Sequence, residues 1–407
     1  MDRRKQVRSE DSGYSITESI KDLALTGFQL AKDTFFSPEE IAAAKPEEIL
    51  SRMLSTKSYI STTSSLAELN NAARGNPSQQ QFLEIGKGQC GTVYAIVGTD
   101  TVAKLPNSLV KVPQLLADFK MHASVKEAME DVENLMKLEI HIPKLYSWET
   151  PKSKSFWTNN SLRFPQTADA QNFAMISSRV FPLPLPVREA IVDVLCPPSI
   201  QKHKSEFLAK PENINCLIRV YLGRRMMNKN NPNVKNFKLR NFPLHVNEME
   251  DLKLDTCAFA HVMAQTLAIL HWKAGVDGND IEFILGSSPL LSQMPRSDEI
   301  TEEDEWSLGD RFDFSRRSIS MWLIDFNMCA KFEENPAGLK QIVDAFTWND
   351  PYYPSPELTT AKDKKLWSEF RKRYLEVSRV LTTSAMPGRF IAEIESRGRK
   401  ANVGELF

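Results

Sequence analysis

The chain is poor in cysteine and in long apolar runs. Its 407 residues include only five cysteines, an odd number, scattered from Cys90 to Cys329. This pattern suits reduced thiols better than a disulfide framework. No stretch approaches the roughly 18 consecutive apolar residues of a membrane span, and no apolar run follows the basic N-terminus, as a secretory signal requires. We therefore predict a cytoplasmic or nuclear protein with no membrane partner.

Neither sign of charge dominates the composition. The formal net charge of −1 provides no overall attraction to nucleic acid, so we expect no nucleic-acid partner. A small basic cluster stands near the N-terminus, at Arg3, Arg4, Lys5 and Arg8. We interpret it as a solvated tail, with a nuclear address as the alternative.

The ligand spacing of a zinc site is also missing. Structural zinc needs four Cys or His ligands, usually arranged as closely spaced pairs. The chain has no close cysteine pair, and its nearest histidines, His261 and His271, fall on one predicted helix. We interpret these histidines as buried or capping residues and predict that zinc is not a cofactor.

The hydrophobic period changes along the chain and divides it into five segments. Residues 1–80 are predicted to be a helical, partly disordered leader and linker, in which Ser37 and Glu40 form a capping box and Ser61–Gln81 is polar. From Phe82 the runs are short and rich in β-formers. The predicted segments are 1–80, 81–181, 182–254, 255–383 and a tail at 384–407.

A glycine-rich stretch opens the second segment. "GKGQCG" contains Gly86, Gly88 and Gly91, and "TVYAIV", with Val93, follows as a predicted strand. A dinucleotide site would need a helix after the glycines, so we predict a strand–loop–strand hairpin instead. Glycines in such a hairpin let backbone amides approach phosphates without obstruction from side chains.

Two further residues fit a phosphate site. Lys104 lies in the next predicted strand, "TVAKL", where its ammonium could reach the phosphates of a nucleotide. Asp325 ends the apolar strand "MWLIDF", where its carboxylate could reach phosphate-bound Mg²⁺. The order of these elements predicts a nucleotide site for ATP and Mg²⁺.

With these motifs the chain resembles the protein-kinase-like superfamily, which includes aminoglycoside and choline phosphotransferases. The stretches "RNFPLHVNEMEDLKLD" and "MAQTLAILHWKAGVDGNDIEFILG" more closely resemble a fungal family of uncharacterised kinase-like proteins that are often labelled zinc-finger proteins. The resemblance covers roughly Phe82 to Leu381. It implies a bilobal α+β fold, with an antiparallel β N-lobe at 81–181, an insertion beside the hinge at 182–254 and a mainly helical C-lobe at 255–383.

The resemblance also implies roles for individual residues. Asp118 would pair with Lys104, although Glu127, Glu130 and Glu133 on the same predicted helix remain alternatives. The inter-lobe hinge would run through Ser177–Pro184. The implied site consists of Gly86, Gly88, Gly91, Val93, Lys104 and Asp118 for ATP, Asp325 and Glu282 for Mg²⁺, and Asp277 as the catalytic base.

The catalytic loop departs from the kinase pattern. Neither His-Arg-Asp nor His-Gly-Asp is present, and two acids, Asp277 and Asp280, are available. Choosing Asp277 as the base puts Glu282 where kinases have a metal-binding asparagine, whereas Asp277 can equally be a turn residue in "VDGND". We therefore carry two hypotheses. The first is an ATP-dependent phosphotransferase with an unknown small-molecule or protein acceptor, and the second is a catalytically degenerate regulatory or scaffold module in fungal metabolism or signalling.

Overall fold

The computed structural model describes residues 35–74, 80–169, 172–226, 237–291 and 312–404. The basic N-terminal cluster and the first part of the predicted leader lie outside these ranges. Within them the chain is α+β, with one five-stranded antiparallel sheet, one seven-stranded mixed sheet and helices packed around both.

Strands form the framework of both halves of the chain. Their bounds are β1 (Phe35–Phe36), β2 (Lys57–Ser61), β3 (Phe82–Lys87), β4 (Gly91–Ile96), β5 (Thr101–Pro106), β6 (Ile140–His141), β7 (Leu145–Glu149), β8 (Ala174–Ser178), β9 (Ile218–Tyr221), β10 (Phe242–His245), β11 (Glu282–Leu291) and β12 (Phe312–Ile324).

The helices connect and cover these strands. Their bounds are α1 (Pro38–Ala43), α2 (Pro46–Met53), α3 (Ser65–Ala73), α4 (Val112–Glu133), α5 (Lys154–Asn160), α6 (Leu185–Leu195), α7 (Pro198–Gln201), α8 (Lys204–Ala209), α9 (Pro211–Ile214), α10 (Val246–Asp251), α11 (Thr256–Trp272), α12 (Pro336–Trp348), α13 (Ala361–Leu381) and α14 (Met386–Gly404). Among the described helices, none is both long and apolar enough to cross a membrane.

The five-stranded sheet has the order β3-β4-β5-β8-β7, and every neighbouring pair in it is antiparallel. It has a small aromatic core of its own, in which Phe82 stacks on Phe164 with ring centroids 3.7 Å apart. Trp157 of α5 closes this core. The β-rich segment after Phe82 therefore forms the antiparallel sheet that its β-branched and aromatic residues predict.

The seven-stranded sheet differs from the mainly helical C-lobe that the resemblance implies. Its order is β1-β2-β12-β11-β9-β10, and β6 also pairs with β12. The predicted short strand "MWLIDF" contains the end of the 13-residue strand β12, which pairs along its length with β11. Strands β1 and β2 come from the leader, β6 from the segment 81–181, and β9 and β10 from the segment 182–254. The sheet therefore assembles parts of the chain that are remote in sequence.

The leader also differs from the prediction. Lys57–Ser61 is strand β2 and pairs with Arg316–Ser320 of β12, while Ile60 is fully buried. The expected linker contains helix α3, whose N-cap Ser64 accepts a hydrogen bond from the Ala67 amide. The prediction of a linker missed this helix, because polar composition does not reveal that Ala67 packs with Phe181 and Phe314 from remote parts of the chain. The capping box of Ser37 and Glu40 is confirmed.

The helices of the C-terminal half pack around α11, which is buried on nearly every side. Its N-cap is Asp255, whose carboxylate accepts from the Ala258 amide at 3.0 Å. His271 is buried and bonds the Tyr374 hydroxyl at 2.8 Å, whereas His261 is partly exposed and contacts Glu369. The predicted tail contains α14, whose Phe390 is fully buried, because its apolar residues recur at helical spacing.

Helix α4 joins the two sheets. Near its start Leu115 packs with Met175 of the small sheet, whereas Val125 and Val132 belong to the large core. One rigid helix therefore contacts both cores. This arrangement positions Asp118, in its first half, between the sheets.

Candidate functional site

A cleft of about 490 Å³ lies between the two sheets, within the usual size range of small-molecule sites. It is lined by the β3–β4 hairpin, β5, residues around β9 and β10, and the segment after β12. The hinge, which we define as residues 177–182, also lines it. The sequence-predicted residues that line it are Gly86, Gly88, Gly91, Val93, Lys104, Asp118, Glu282 and Asp325. Asp277 is the one predicted site residue that does not line the cleft.

The three glycines of the hairpin differ in how much space surrounds them. A Cβ at Gly91 would meet the carbonyl oxygen of Leu105 at 2.5 Å, so β5 requires glycine there. A Cβ at Gly86 would meet nothing within 4 Å, and one at Gly88 would meet its nearest atom at 3.7 Å. Asn107 holds the loop in place by donating to the Gly88 carbonyl at 2.8 Å. The space beside Gly86 and Gly88 therefore lets a ligand approach the backbone.

Lys104 is the central cation of the cleft. Its ammonium lies 2.7 Å from Asp118 Oδ2 and 3.7 Å from Asp325 Oδ1. The other Asp118 oxygen accepts a hydrogen bond from the Phe326 amide at 3.1 Å. Burial alone would favour the neutral amine, but the two carboxylates outweigh it and hold the pKa of Lys104 above its ordinary value. The ammonium is therefore charged at every ordinary pH.

The partner of Lys104 was left open by the sequence, and the structure pairs it with Asp118. The alternatives Glu127, Glu130 and Glu133 are all exposed on the outer face of α4. Asp118 is 2% exposed, and it lies on the helix face that turns towards the cleft. Residues on one face of a helix recur every three or four positions, and Glu127, Glu130 and Glu133 do not fall on the face that carries Asp118.

Asp325 follows β12 directly and has an unusual backbone. Its φ is 65°, in the left-handed region that residues other than glycine rarely adopt. Its Oδ1 accepts a hydrogen bond from the side-chain amide of Asn327. Burial raises the pKa of Asp325, and the nearby Lys104 opposes this rise. Backbone strain of this kind occurs preferentially at functional sites.

Glu282 begins β11, where it is paired in register with Ile324, the residue before Asp325. Its carboxylate forms an ion pair with Arg219 of β9. Burial raises the pKa of Glu282 to about 7, although the Arg219 charge opposes the shift. Glu282 therefore exchanges a proton near neutral pH. A metal ion bound to its carboxylate would compete with the guanidinium of Arg219.

Asp277, the predicted catalytic base, does not line the cleft. Its Oδ1 accepts from the backbone amides of Asn279 and Ala330, at 3.1 and 3.0 Å, and its Oδ2 accepts from Gln341 Nε2 at 2.8 Å. The following Gly278 has a φ of 68°. These contacts favour the alternative of a turn residue, because the carboxylate joins this turn to the chain after Asp325.

The structure adds functional candidates that the sequence did not assign. Asp280 lines the cleft, with a φ of 61° and an amide that donates to Asn349 Oδ1 at 2.7 Å. Its carboxylate receives one long hydrogen bond, 3.4 Å from Trp348 Nε1. Arg219 and Arg240 reach the cleft from the segment around β9 and β10. The sequence offered Asp280 as one of the two acids of the catalytic loop, but no motif indicated that the arginines line the cleft.

The hinge runs from the end of β8 to a contact with β11. Arg179, Val180 and Pro182 line the cleft, and Phe181 exchanges two backbone hydrogen bonds of 2.8 Å with Ser287. In the part of the chain that the structure describes, the Val180 amide makes no hydrogen bond. A backbone donor therefore remains available at this wall.

Metal-binding groups are sparse in this part of the molecule. Among the described residues, no group of three or more His, Cys, Asp or Glu side chains is arranged to hold a metal ion. Besides Asp118, the carboxylates that line the cleft belong to Asp325, Asp280 and Glu282. They are hard ligands that suit Mg²⁺, which needs only one or two protein carboxylates when phosphates supply the others.

A family model described as "Zinc finger protein" matches residues 321–385. No curated protein matches the chain. The matched segment includes the end of β12, Asp325, α12 and α13, and it contains one cysteine, Cys329, and no histidine. It therefore lacks the four Cys or His ligands that a structural zinc site needs.

Proposed function

We propose that the cleft binds ATP with Mg²⁺ in the manner of kinase-like proteins. The observation that carries this proposal is the ammonium of Lys104, held between the carboxylates of Asp118 and Asp325 in a cleft lined by a glycine hairpin. A fixed ammonium and backbone amides without side-chain obstruction are the groups that bind a triphosphate.

The proposed nucleotide would extend from the hairpin to the hinge. Its phosphates would lie beside Lys104 and the amides near Gly86 and Gly88. Its base would face the Val180 amide, which has no hydrogen-bond partner among the described residues. When bound, Mg²⁺ would neutralise phosphate charge. Asp325 would hold it, with Asp280 or Glu282 as the second carboxylate.

A thermal-unfolding series with MgATP, MgADP, ATP plus EDTA and no ligand tests the proposal. Ligand at a hundred times its Kd stabilises a fold by about 2.7 kcal/mol, which raises the Tm by several degrees. We expect a magnesium-dependent rise in the wild type and none in Lys104→Met. Lys126→Met is the matched control, because Lys126 pairs with Glu130 on α4 outside the cleft. The same rise in Lys104→Met would contradict the proposed phosphate position.

Binding without transfer is favoured by one observation. The carboxylate of Asp277, the acid at the expected position of the base, already accepts three hydrogen bonds, from the Asn279 and Ala330 amides and from Gln341 Nε2. A carboxylate held in this way is a poor acceptor for the proton of a substrate hydroxyl. The protein would then be a regulatory or scaffold module whose conformation depends on bound nucleotide.

Phosphate transfer to an unknown small-molecule or protein acceptor is the second candidate, with Asp280 in place of Asp277. Asp280 lines the cleft and its carboxylate accepts a single long hydrogen bond, so it could take up a hydroxyl proton. An ATP-turnover assay on the wild type, Asp280→Asn and Asp277→Asn separates the candidates. Turnover lost in Asp280→Asn but retained in folded Asp277→Asn supports transfer through Asp280. Nucleotide binding without turnover in the wild type supports the binding module.

A further inference from the structure

The cleft has two chemically different ends. Its carboxylates gather around Lys104, where Asp118 and Asp325 contact the ammonium and Glu282 is paired in register with Ile324, which precedes Asp325. The hinge end instead carries a set of donors without a carboxylate among the described lining residues. These side chains are Arg179, Asn215, Arg240 and Asn241.

Arg179 is a buried cation at this end with almost no partner. It is 6% exposed and lines the cleft. Its one side-chain hydrogen bond, to Asn215 Oδ1, is 3.5 Å long, and its Nε makes none within the described residues. No described carboxylate lies within 4.0 Å of its guanidinium. Burial lowers the pKa of Arg179 to about 10, as expected when no counter-charge offsets desolvation.

A second buried cation lies close by. The guanidinium carbons of Arg179 and Arg317 are 4.5 and 4.6 Å from the centroid of the Phe181 ring. Arg317 is 2% exposed and donates to Ser287 Oγ at 2.7 Å. Burial and the charge of Arg179 together lower the pKa of Arg317 to about 9. Two neighbouring buried cations are costly unless an anion compensates them.

Arg240 reaches the same end of the cleft from another direction. It precedes β10, whose first residue, Phe242, donates its amide to the Leu217 carbonyl at 2.8 Å. This contact brings Arg240 close to Asn215, the hydrogen-bond partner of Arg179. The Nε of Arg240 also makes no hydrogen bond within the described residues. Both arginines can therefore offer donors to one ligand.

We propose that the hinge end of the cleft is a separate site for the anionic group, carboxylate or phosphate, of a small-molecule ligand. Arg179 and Arg240 are its charged contacts, and Arg317 adds positive potential behind the hinge. A planar guanidinium matches either anion in a bidentate geometry.

This anion site is distinct from the proposed position of the nucleotide phosphates. Lys104 is opposite Met175 in the strand register, and Arg179 follows Met175 by four residues. Extended chain rises about 3.3 Å per residue, so Arg179 lies roughly 13 Å further along the cleft. The two side chains also have different surroundings, since the Lys104 ammonium contacts Asp118 and Asp325, whereas the Arg179 guanidinium contacts Asn215 and the Phe181 ring. The anion site therefore goes beyond the proposed nucleotide function and does not depend on it.

Inorganic phosphate is the probe, compared with chloride at matched ionic strength in thermal-unfolding experiments. Phosphate at about five times its Kd is expected to raise the Tm of the wild type by about 1 °C. Because phosphate also stabilises folded proteins in general, the readout is the difference between variants. We expect Arg179→Gln to lose the specific rise and Lys104→Met to keep it. In chloride, Arg179→Gln should unfold at or above the wild-type Tm, since it removes an unpaired buried charge.

Two results would overturn the proposal. One is an equal phosphate response in the wild type and Arg179→Gln, and the other is a response lost in Lys104→Met and kept in Arg179→Gln. If Arg179→Gln does not fold, the partly exposed Arg240 replaces it as the test. A reduced phosphate response in Arg240→Gln then supports the anion site, and an unchanged response refutes it.

Discussion

At the residue scale, the cleft is organised by ionisable groups that compensate one another. Lys104 and Asp118 are both largely buried and lie 2.7 Å apart, so each offsets the desolvation of the other. Removing one partner of a buried pair leaves an uncompensated charge, which costs more than the pair itself contributes. For this reason each Lys104 variant needs comparison with its own ligand-free form.

The raised pKa of Glu282 implies that the free energy of unfolding depends on pH. Its pKa is about 7 in the folded chain, against an ordinary value of 4.5, so folding favours the protonated form. Its contribution to the free energy of unfolding is full below pH 4.5 and is lost as the pH rises through about 7. The shift corresponds to at most about 3 kcal/mol.

We therefore expect Glu282→Gln to show a flatter profile of unfolding free energy between pH 5 and 7.5 than the wild type. Urea unfolding at a series of pH values measures this difference. Glu84→Gln is the control, because Glu84 is exposed on β3. If the Glu282→Gln and wild-type profiles run parallel, burial does not govern this carboxyl group.

At the scale of elements, the hairpin of β3 and β4 combines a structural glycine with two that leave room for a ligand. Gly91 cannot carry a Cβ without moving the β5 backbone, whereas Gly88 has ordinary space around it. The spacing of the glycines predicted the hairpin but could not separate these roles. The separation depends on how closely β5 packs.

The two glycines should therefore respond differently to alanine. Gly91→Ala is expected to lower the free energy of unfolding by about 1–3 kcal/mol because of overpacking against β5. Gly88→Ala should change it by less than about 0.5 kcal/mol but should reduce the stabilisation by MgATP, since its methyl group would occupy the proposed path of the phosphates. Chemical denaturation with and without MgATP measures both effects. A full MgATP response in Gly88→Ala would argue against phosphates at this loop.

At the scale of the whole molecule, α4 and the hinge join a small antiparallel sheet to a large mixed one. The cleft takes its lining from both sheets, and one ligand would therefore restrain them together. Hydrogen exchange tests this expectation. MgATP should slow amide exchange in the β3–β4 loop and at 325–327, and should leave α13 unchanged, because α13 packs on α11 away from the cleft.

Lys104→Met supplies the matching negative control for the exchange experiment, since it should lose protection at both places. Protection restricted to one sheet would mean that the ligand does not bridge the cleft. Protection that persists in Lys104→Met would place the ligand elsewhere.

Features that depend on neighbouring residues were predictable from the sequence alone. The glycine hairpin, the strand of Lys104, the end of an apolar strand at Asp325 and the N-cap Asp255 each reflect a local pattern of conformational preference or hydrogen bonding. Hydrophobic periodicity likewise predicted α4 and α11. These local patterns identified the glycine hairpin, Lys104 and Asp325, all of which line the cleft.

Only the tertiary structure decided which of two neighbouring acids faces the cleft. Asp277 and Asp280 are three positions apart in one turn. The direction of Asp277 depends on donors from Ala330 and Gln341, and that of Asp280 on Asn349 Oδ1, which accepts from the Asp280 amide. The placement of Arg219 and the pairing of β2 with β12 likewise join segments far apart in sequence. Composition and periodicity describe the preferences of each segment, whereas these contacts depend on which segments pack together, and that is determined by the burial of the whole chain.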